Sequence, residues 1–426
     1  MEYSRTTFSR YLTFFPVDKV FLFLLWPLGG LWYAIKNNEI PSAKLIMVLF
    51  FTYFGFVFVF ADPLDPNGAD SARYAMDLIE MHRDSYGLGD VVSMLYSSET
   101  DKMDIYQPLA TWIISLFTED ARFLFALFGG VFGYFYASNI LMVLRLLKDR
   151  MDIMVILFLI AYVLVNPIWN INGVRMWTAA QIFLYGVLRY LLYEEKAGIY
   201  WCLMTPLVHL SFVIPIGLLF GWMLLPNNIT VLFIAYILAS LLSEVNLNFM
   251  ESLDGYVPSF LQSRMESYGN EAYVEKLAEI SSQNSWHVHF AKNALGYVRY
   301  VWIIVAYMYR KTIAEFFPDF NKLFGLGLFV GAFAQLVSSM PSGGRFLVIS
   351  DEIIFALFVF MFSYGRLEYR TYILRLITIP IVAFVLIFQF RVGCDYMGIL
   401  TFLGNPIIAL FIDDQTPVIE FVKSIF

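Results

Sequence analysis

Charge is scarce in this chain: 15% of its 426 residues are Asp, Glu, Lys or Arg, and 59% are hydrophobic. Soluble globular chains carry about 25% charged residues, so the shortage excludes a soluble composition. No basic tract exists, which removes the usual electrostatic footprint of nucleic-acid binding, and the net charge of −7 comes from acids gathered in the polar intervals. Cysteine is nearly absent. Cys202 and Cys394 both lie in or beside apolar segments, which argues against a disulfide framework and a cysteine-based metal site. His287 and His289 have an H-x-H spacing, but their neighbourhood offers no clear third ligand, so no metal is expected. The P-loop, the glycine-rich dinucleotide fingerprint, G-x-S-x-G and CxxC are all missing, as are internal repeats, and a soluble-nucleotide enzyme is not expected.

What the chain has instead is apolar runs of membrane length from end to end. About 20 apolar residues cross the hydrocarbon core. On that measure Val20–Ile35, Leu45–Ala61, Phe123–Leu144, Ile153–Trp169 and Val174–Leu192 are predicted spans. Ile229–Val245, Ala294–Tyr309, Leu323–Ser338, Phe346–Tyr364 and Leu376–Phe390 extend the series. The first run lacks a small-residue cleavage site and is read as a retained span. The expected fold is an all-α polytopic membrane protein of about 10–12 spans, forming a single integral-membrane domain over residues 1–426.

The stretch 199–225, "IYWCLMTPLVHLSFVIPIGLLFGWMLL", carries Pro206, His209, Ser211 and Pro215 near its middle. Proline breaks helices, and a broken helix at membrane depth survives only inside protein or beside a water-filled cavity. A hairpin or sharply broken helix with His209 near its tip is predicted. With that hairpin, the basic loops Arg145/Lys148/Arg150, Arg189/Lys196, Arg310/Lys311/Lys322 and Arg366/Arg370/Arg375 all fall on the cytoplasmic side. Residues 62–120 and 246–292 then form outer loops, with amphipathic helices expected around Ala72–Met81 and Leu261–Leu277. Arg5, Arg10 and Lys19 pull the N-terminal segment the other way.

Ionisable groups at membrane depth are functional candidates. In "WNINGVRMW", Asn170, Asn172 and Gly173 precede Arg175. A charge reaching the middle of a span costs about 2.5–3.5 kcal/mol. Asn172 suits a helix cap, Gly173 permits close backbone approach, and free N–H groups with a guanidinium suit an anion. The alternative is an arginine snorkelling to outer headgroups. "SSMPSGGRFLVISDEIIF" repeats the pattern at Arg345, with Asp351 and Glu352 two turns further in, available to Arg345 or to another cation. His209 is either a hydrogen-bonded core histidine or a base lining a cavity. In "GADSARY", Asp70 and Tyr74 fall on one helix face beside Arg73, an arrangement that suits a sugar, or simply a solvated turn.

The order of these features resembles the EpsG-type, Wzy-like polysaccharide polymerases of bacterial inner membranes. The resemblance runs through Asp70…Tyr74, Asn172…Arg175 with the small pair Ala179 and Ala180, His209-x-Ser211, an outer-loop tyrosine segment from Arg264 to Tyr268, and Arg345 leading into a span. Met176 stands where the family usually has Gln after its arginine. The resemblance implies a glycosyltransferase that works on the outer face. It would move a glycan from undecaprenyl pyrophosphate to the terminal sugar of another lipid-linked repeat unit, without a cofactor. It implies pyrophosphate binding by Arg175 and Arg345, a base at His209 or Asp70, and glycan contacts from Tyr74, Asn172, Arg73 and Tyr268. Membrane lipids, a chain-length regulator and a flippase are the partners it suggests. An O-antigen ligase-like transferase, or a lipid-linked glycan transporter, is the competing expectation.

Overall fold

The computed structural model describes residues 17–64, 69–96, 104–148, 151–242, 285–338, 343–364, 367 and 369–425. Helix is the only extended regular structure among them; two isolated β-bridges, Phe58 with Met397 and Gly398 with Pro417, are the exceptions. Among the described residues, five helical stretches are long and apolar enough to cross a membrane: Ala121–Arg145, Ile153–Leu192, Phe320–Val337, Arg345–Tyr364 and Tyr372–Gly393.

The chain divides into two compact units. Unit 1 comprises residues 1–146, 166–214 and 389–426. It holds α1 (Val17–Leu25), α2 (Pro27–Lys36), α3 (Ala43–Phe56), α4 (Asp70–Arg83), α5 (Leu88–Tyr96), α6 (Tyr106–Ser115), α7 (Ala121–Arg145), α9 (Val174–Leu192) and α10 (Ala197–Val208). The first apolar run is therefore not one continuous helix. It breaks at Trp26, ahead of Pro27, which lacks an N–H and takes the first helical position of α2. Trp26 Nε1 donates to Phe402 O at 2.9 Å.

Helix α7 is the central post of unit 1. Asp120 caps it by accepting from Arg122 N at 2.9 Å, and nearly all of its second half is buried. Helix α3 lies along it at very close range, because Gly55, Gly129 and Gly133 remove the side chains that would hold the backbones apart. A Cβ at Gly55 would strike the Phe125 carbonyl, one at Gly129 the Phe51 carbonyl, and one at Gly133 the Phe51 side chain. Small residues four apart are the usual device for such contact in membranes, where packing rather than water exclusion drives association.

Unit 2 comprises residues 147–165 and 215–388. It contains α8 (Ile153–Val165), most of α11 (Val213–Leu224), α12 (Ile229–Leu241), α13 (Trp286–Phe316), α14 (Phe320–Val337), α15 (Arg345–Tyr364) and most of α16 (Tyr372–Gly393). Its core is the run Ile353–Phe362 of α15. Phe158 stacks on Phe355 and Phe362 with centroids 5.8 and 5.1 Å apart, and Trp302 meets Phe362 edge-on at 4.7 Å. Arg375, expected as a loop charge, is 8% exposed and pairs with Asp152 at 2.7 Å, so it ties α16 to the start of α8. After α16 the chain adds α17 (Ile399–Leu403), α18 (Pro406–Phe411) and α19 (Val418–Ile425) to unit 1.

If α3 and α7 depend on backbone contact, Gly129→Leu will force them apart. Overpacking of this kind costs about 1–3 kcal/mol. Thermal unfolding of the purified variant in detergent should show a lowered midpoint, and an unchanged midpoint would contradict the contact.

Candidate functional site

The site grows from a break in a helix. Pro206 lies in the last turn of α10 and has no N–H to give to the Cys202 carbonyl; the Thr205 hydroxyl donates there instead, at 2.6 Å. His209 then turns to extended backbone (φ −152°, ψ 115°), a 3-10 turn covers Leu210–Phe212, and helix resumes at Val213. Such a break leaves backbone groups that helix bonds no longer satisfy.

The segment entering α6 satisfies them. Ile105 N donates to Leu207 O at 3.2 Å, and Leu210 N donates to Asp104 Oδ1 at 2.7 Å. The other carboxylate oxygen, Asp104 Oδ2, is 2.9 Å from His209 Nδ1 and 3.1 Å from Arg175 NH1. The Asp104 side chain is 0% exposed. Burial alone would raise the Asp104 pKa, but the hydrogen bond and charge of His209, the Leu210 N–H and the Arg175 guanidinium together hold it below the ordinary carboxylate value. Asp104 is thus an ionised acid joining the tip of the broken helix to the first turn of α9.

Arg175 also donates to Tyr74 of α4. Tyr74 is 5% exposed, and its burial raises the phenol's pKa against the opposing pull of Arg175. One turn earlier, Asp70 pairs with the exposed Arg73. An added Cβ at Gly173 would lie 3.5 Å from Asp70 Oδ2, which puts that carboxylate at the positive end of α9, a favourable place for an anion. Helix α4 is held to α6 by Gln107 Nε2, which donates to Asp77 Oδ2 at 3.1 Å, and the turn after α4 by Trp112 Nε1, which donates to Tyr86 O at 3.0 Å.

Two of the asparagines ahead of Arg175, Asn166 and Asn170, brace the turn that leads into α9. Residues 168–173 form a 3-10 turn, and Asn170 Nδ2 donates to Asn166 Oδ1 at 2.9 Å. Asn166 Nδ2 donates to Trp177 O at 3.1 Å, while Asn139 Nδ2 reaches Gln181 Oε1 at 2.7 Å. Asn172 does not cap α9: Gly173 occupies the cap, with no side-chain bond, and Asn172 Oδ1 is buried without a hydrogen-bond partner.

Unit 1 therefore brings Asp70, Arg73, Tyr74, Asn172, Arg175 and His209 to one end of its bundle, around an acid that sequence reasoning had not singled out. Asp104 is 71 residues from Arg175 and 105 from His209. Its one sequence signal is an acid immediately ahead of the apolar stretch "IYQPLATWIISLF". Arg345 belongs to unit 2 and is exposed at the start of α15. Asp351 pairs with Arg299 of α13 and not with Arg345, which resolves the partner left open by the sequence. Tyr268 lies outside the described residues. Among those residues no group of three or more His, Cys, Asp or Glu is placed to hold a metal ion.

Chemically, the cluster offers a cation whose side chain is 28% exposed, and an imidazole whose Nδ1 is engaged by a carboxylate. A neutral His209 that donates from Nδ1 presents Nε2 as an acceptor, which is the form a general base requires. No protein family, curated protein or solved structure matches the chain.

Removing the shared acid tests the cluster's structural weight. Asp104→Ala leaves Arg175 without its buried counter-ion and Leu210 N–H without an acceptor, a loss of about 3–5 kcal/mol for a broken buried pair. Asp104→Asn keeps the Leu210 bond and should lose less. Equal unfolding midpoints for wild type and Asp104→Ala would show that the carboxylate holds nothing.

Proposed function

We propose that this chain is a membrane glycosyltransferase that lengthens a lipid-linked polysaccharide. It would take an oligosaccharide from undecaprenyl pyrophosphate and transfer it to the terminal sugar of another lipid-linked repeat unit. The observation that carries this reading is the convergence of Arg175, Asp104 and His209, with Tyr74 beside them, at a break inside an apolar bundle. Those groups match the EpsG-type, Wzy-like resemblance at Asp70…Tyr74, Asn172…Arg175 and His209, motifs far apart in sequence and close together in unit 1.

In this reading the acceptor hydroxyl attacks the anomeric carbon, and the bond from that carbon to the pyrophosphate oxygen breaks. The hydroxyl proton passes to His209 Nε2, and the departing pyrophosphate keeps the bonding electrons. Arg175 takes up the charge that grows on it, an interaction strongest in the transition state. Asp104 stabilises the protonated His209 and keeps the guanidinium in register. Asp70 is the alternative base, with Arg73, Tyr74 and Asn172 toward the glycan. Arg345 is assigned to pyrophosphate through the resemblance.

The finer topology is part of the proposal: about 10–12 spans in a bacterial inner membrane, with the reaction on the outer side. The polarity of unit 1 supports it. Helix α9 begins at the Asp104 cluster and carries Arg189 in its last turn, and its 19 residues span about 28 Å at 1.5 Å per residue. That is close to the hydrocarbon thickness, and basic loops mark the cytoplasmic face.

Purified protein incubated with lipid-linked repeat units should yield longer glycans. Arg175→Gln and Arg345→Ala should each slow extension by about 10²–10³ while the protein still reaches the membrane. If no longer glycan forms while lipid-linked sugar crosses a liposome bilayer, the chain is a transporter and the polymerase reading fails.

A further inference from the structure

Unit 2 carries a polar cluster of its own inside an otherwise apolar bundle. Arg299 of α13 pairs with Asp351 Oδ1 in the second turn of α15. Tyr236 of α12 lies in the field of both charges, and Gln335, in the last turn of α14, faces it. Arg299, Tyr236 and Gln335 are each more than nine-tenths buried. Tyr300 is half-buried beside them; its ring centre is 5.8 Å from that of Tyr236 and 5.2 Å from the Arg299 guanidinium. Four helices therefore bring polar side chains to one place. Gly331 lets them approach, since an added Cβ there would strike Ser350 Oγ of α15 and the Tyr236 ring of α12.

Three donors of this cluster are unused. Arg299 Nε, Tyr236 Oη and Gln335 Nε2 are buried without a hydrogen-bond partner of good geometry. Buried polar groups are nearly always paired, and each unpaired one calls for an explanation. Three around a single ion pair call for a common one. The partner they suit follows from charge. Asp351 already neutralises Arg299, so a bound ion would bury a net charge, at high cost. An uncharged ligand escapes that cost, and it must accept from an amide, a phenol and a guanidinium. It can also donate to Asp351 Oδ2, because that side chain is 19% exposed and the guanidinium meets Oδ1. A hydroxyl accepts and donates at one atom, so adjacent hydroxyls on a sugar ring meet both requirements. The Tyr300 ring offers an apolar face for the C–H side of the same ring.

We propose that this cluster of unit 2 is a binding site for an uncharged sugar, held through its ring hydroxyls by Arg299, Asp351, Tyr236 and Gln335. Asp351 lies about 9 Å along α15 from the exposed Arg345, and Gln335 is in the last turn of α14, so the cluster is close to one end of both helices. The proposal does not depend on what the Asp104 cluster does.

Saturation-transfer NMR on the purified full chain in lipid nanodiscs tests it, with the methyl glycosides of glucose, galactose and N-acetylglucosamine as probes. Glucuronate and glycerol accompany them, as a charged sugar and a simple polyol. At least one of the three glycosides should bind, and more tightly than glucuronate or glycerol. Tyr236→Phe and Gln335→Leu should each weaken that binding about fivefold, the share of one hydrogen bond. Tyr236 Oη bonds nothing within the protein, so the thermal midpoint of sugar-free Tyr236→Phe should not fall. Lys322→Gln, at the exposed start of α14, should bind as wild type does. If Gln335→Leu does not fold, Tyr236→Phe carries the test. The assignment is overturned if none of the glycosides binds, if glucuronate or glycerol binds as well as they do, or if Tyr236→Phe binds undiminished. A lowered midpoint in Tyr236→Phe would overturn it too, by showing that the hydroxyl serves the fold.

Discussion

Helix α10 stops at Val208 among apolar residues, and the backbone it opens at His209 and Leu210 must be satisfied by protein. His209 N still donates to Thr205 O, and the Leu210 N–H falls to one carboxylate, Asp104. It accepts from Leu210 N, engages His209 Nδ1 and pairs with Arg175, with no exposure to solvent. An ionised acid in such a place is tolerable only because several donors face it together; with one fewer, its desolvation would dominate. The rest of unit 1 follows from this requirement. α6 must lie beside the end of α10, α4 must brace α6, and the 3-10 turn at 168–173 must deliver Arg175 to the same spot.

The same constraint links packing to chemistry. Arg175 has a buried counter-ion on one side and Tyr74 beside it, so its position is set before any ligand arrives. Preorganised charge of that kind is worth more in a transition state than a mobile side chain, because no reorganisation is needed as charge develops. His209 gains a defined ring orientation from the same carboxylate. Asp104 is in this account a positioning residue that acts through its two neighbours, while Arg175 and His209 would meet the reacting groups.

Much of this was legible in the sequence, and the limits have physical causes. The helix break at His209 was legible because Pro206 and Pro215 flank it, and proline acts locally. Arg175 stood out because charge is rare inside apolar runs. Asp104 did not, because an acid in a polar interval looks ordinary until the chain brings residues 71 and 105 positions away against it. Asp351 was visible as a membrane-depth acid, but its partner Arg299 lies 52 residues off on α13. Arg375 looks like a loop charge in the sequence, and only the fold reveals that it is buried against Asp152. Asn172 was expected to cap α9; Gly173 took the cap, because the turn ahead of α9 is 3-10 and ends one residue later.

In the proposed function, the Asp104-centred cluster holds Arg175 in place for a pyrophosphate. The most direct measurement is the affinity of the purified full chain for undecaprenyl pyrophosphate relative to undecaprenyl phosphate, in wild type and in Arg175→Gln. The account predicts that wild type prefers the pyrophosphate and that Arg175→Gln loses the preference while still binding the lipid tail. Equal affinity for the two lipids in wild type, or a preference that survives in Arg175→Gln, would contradict it.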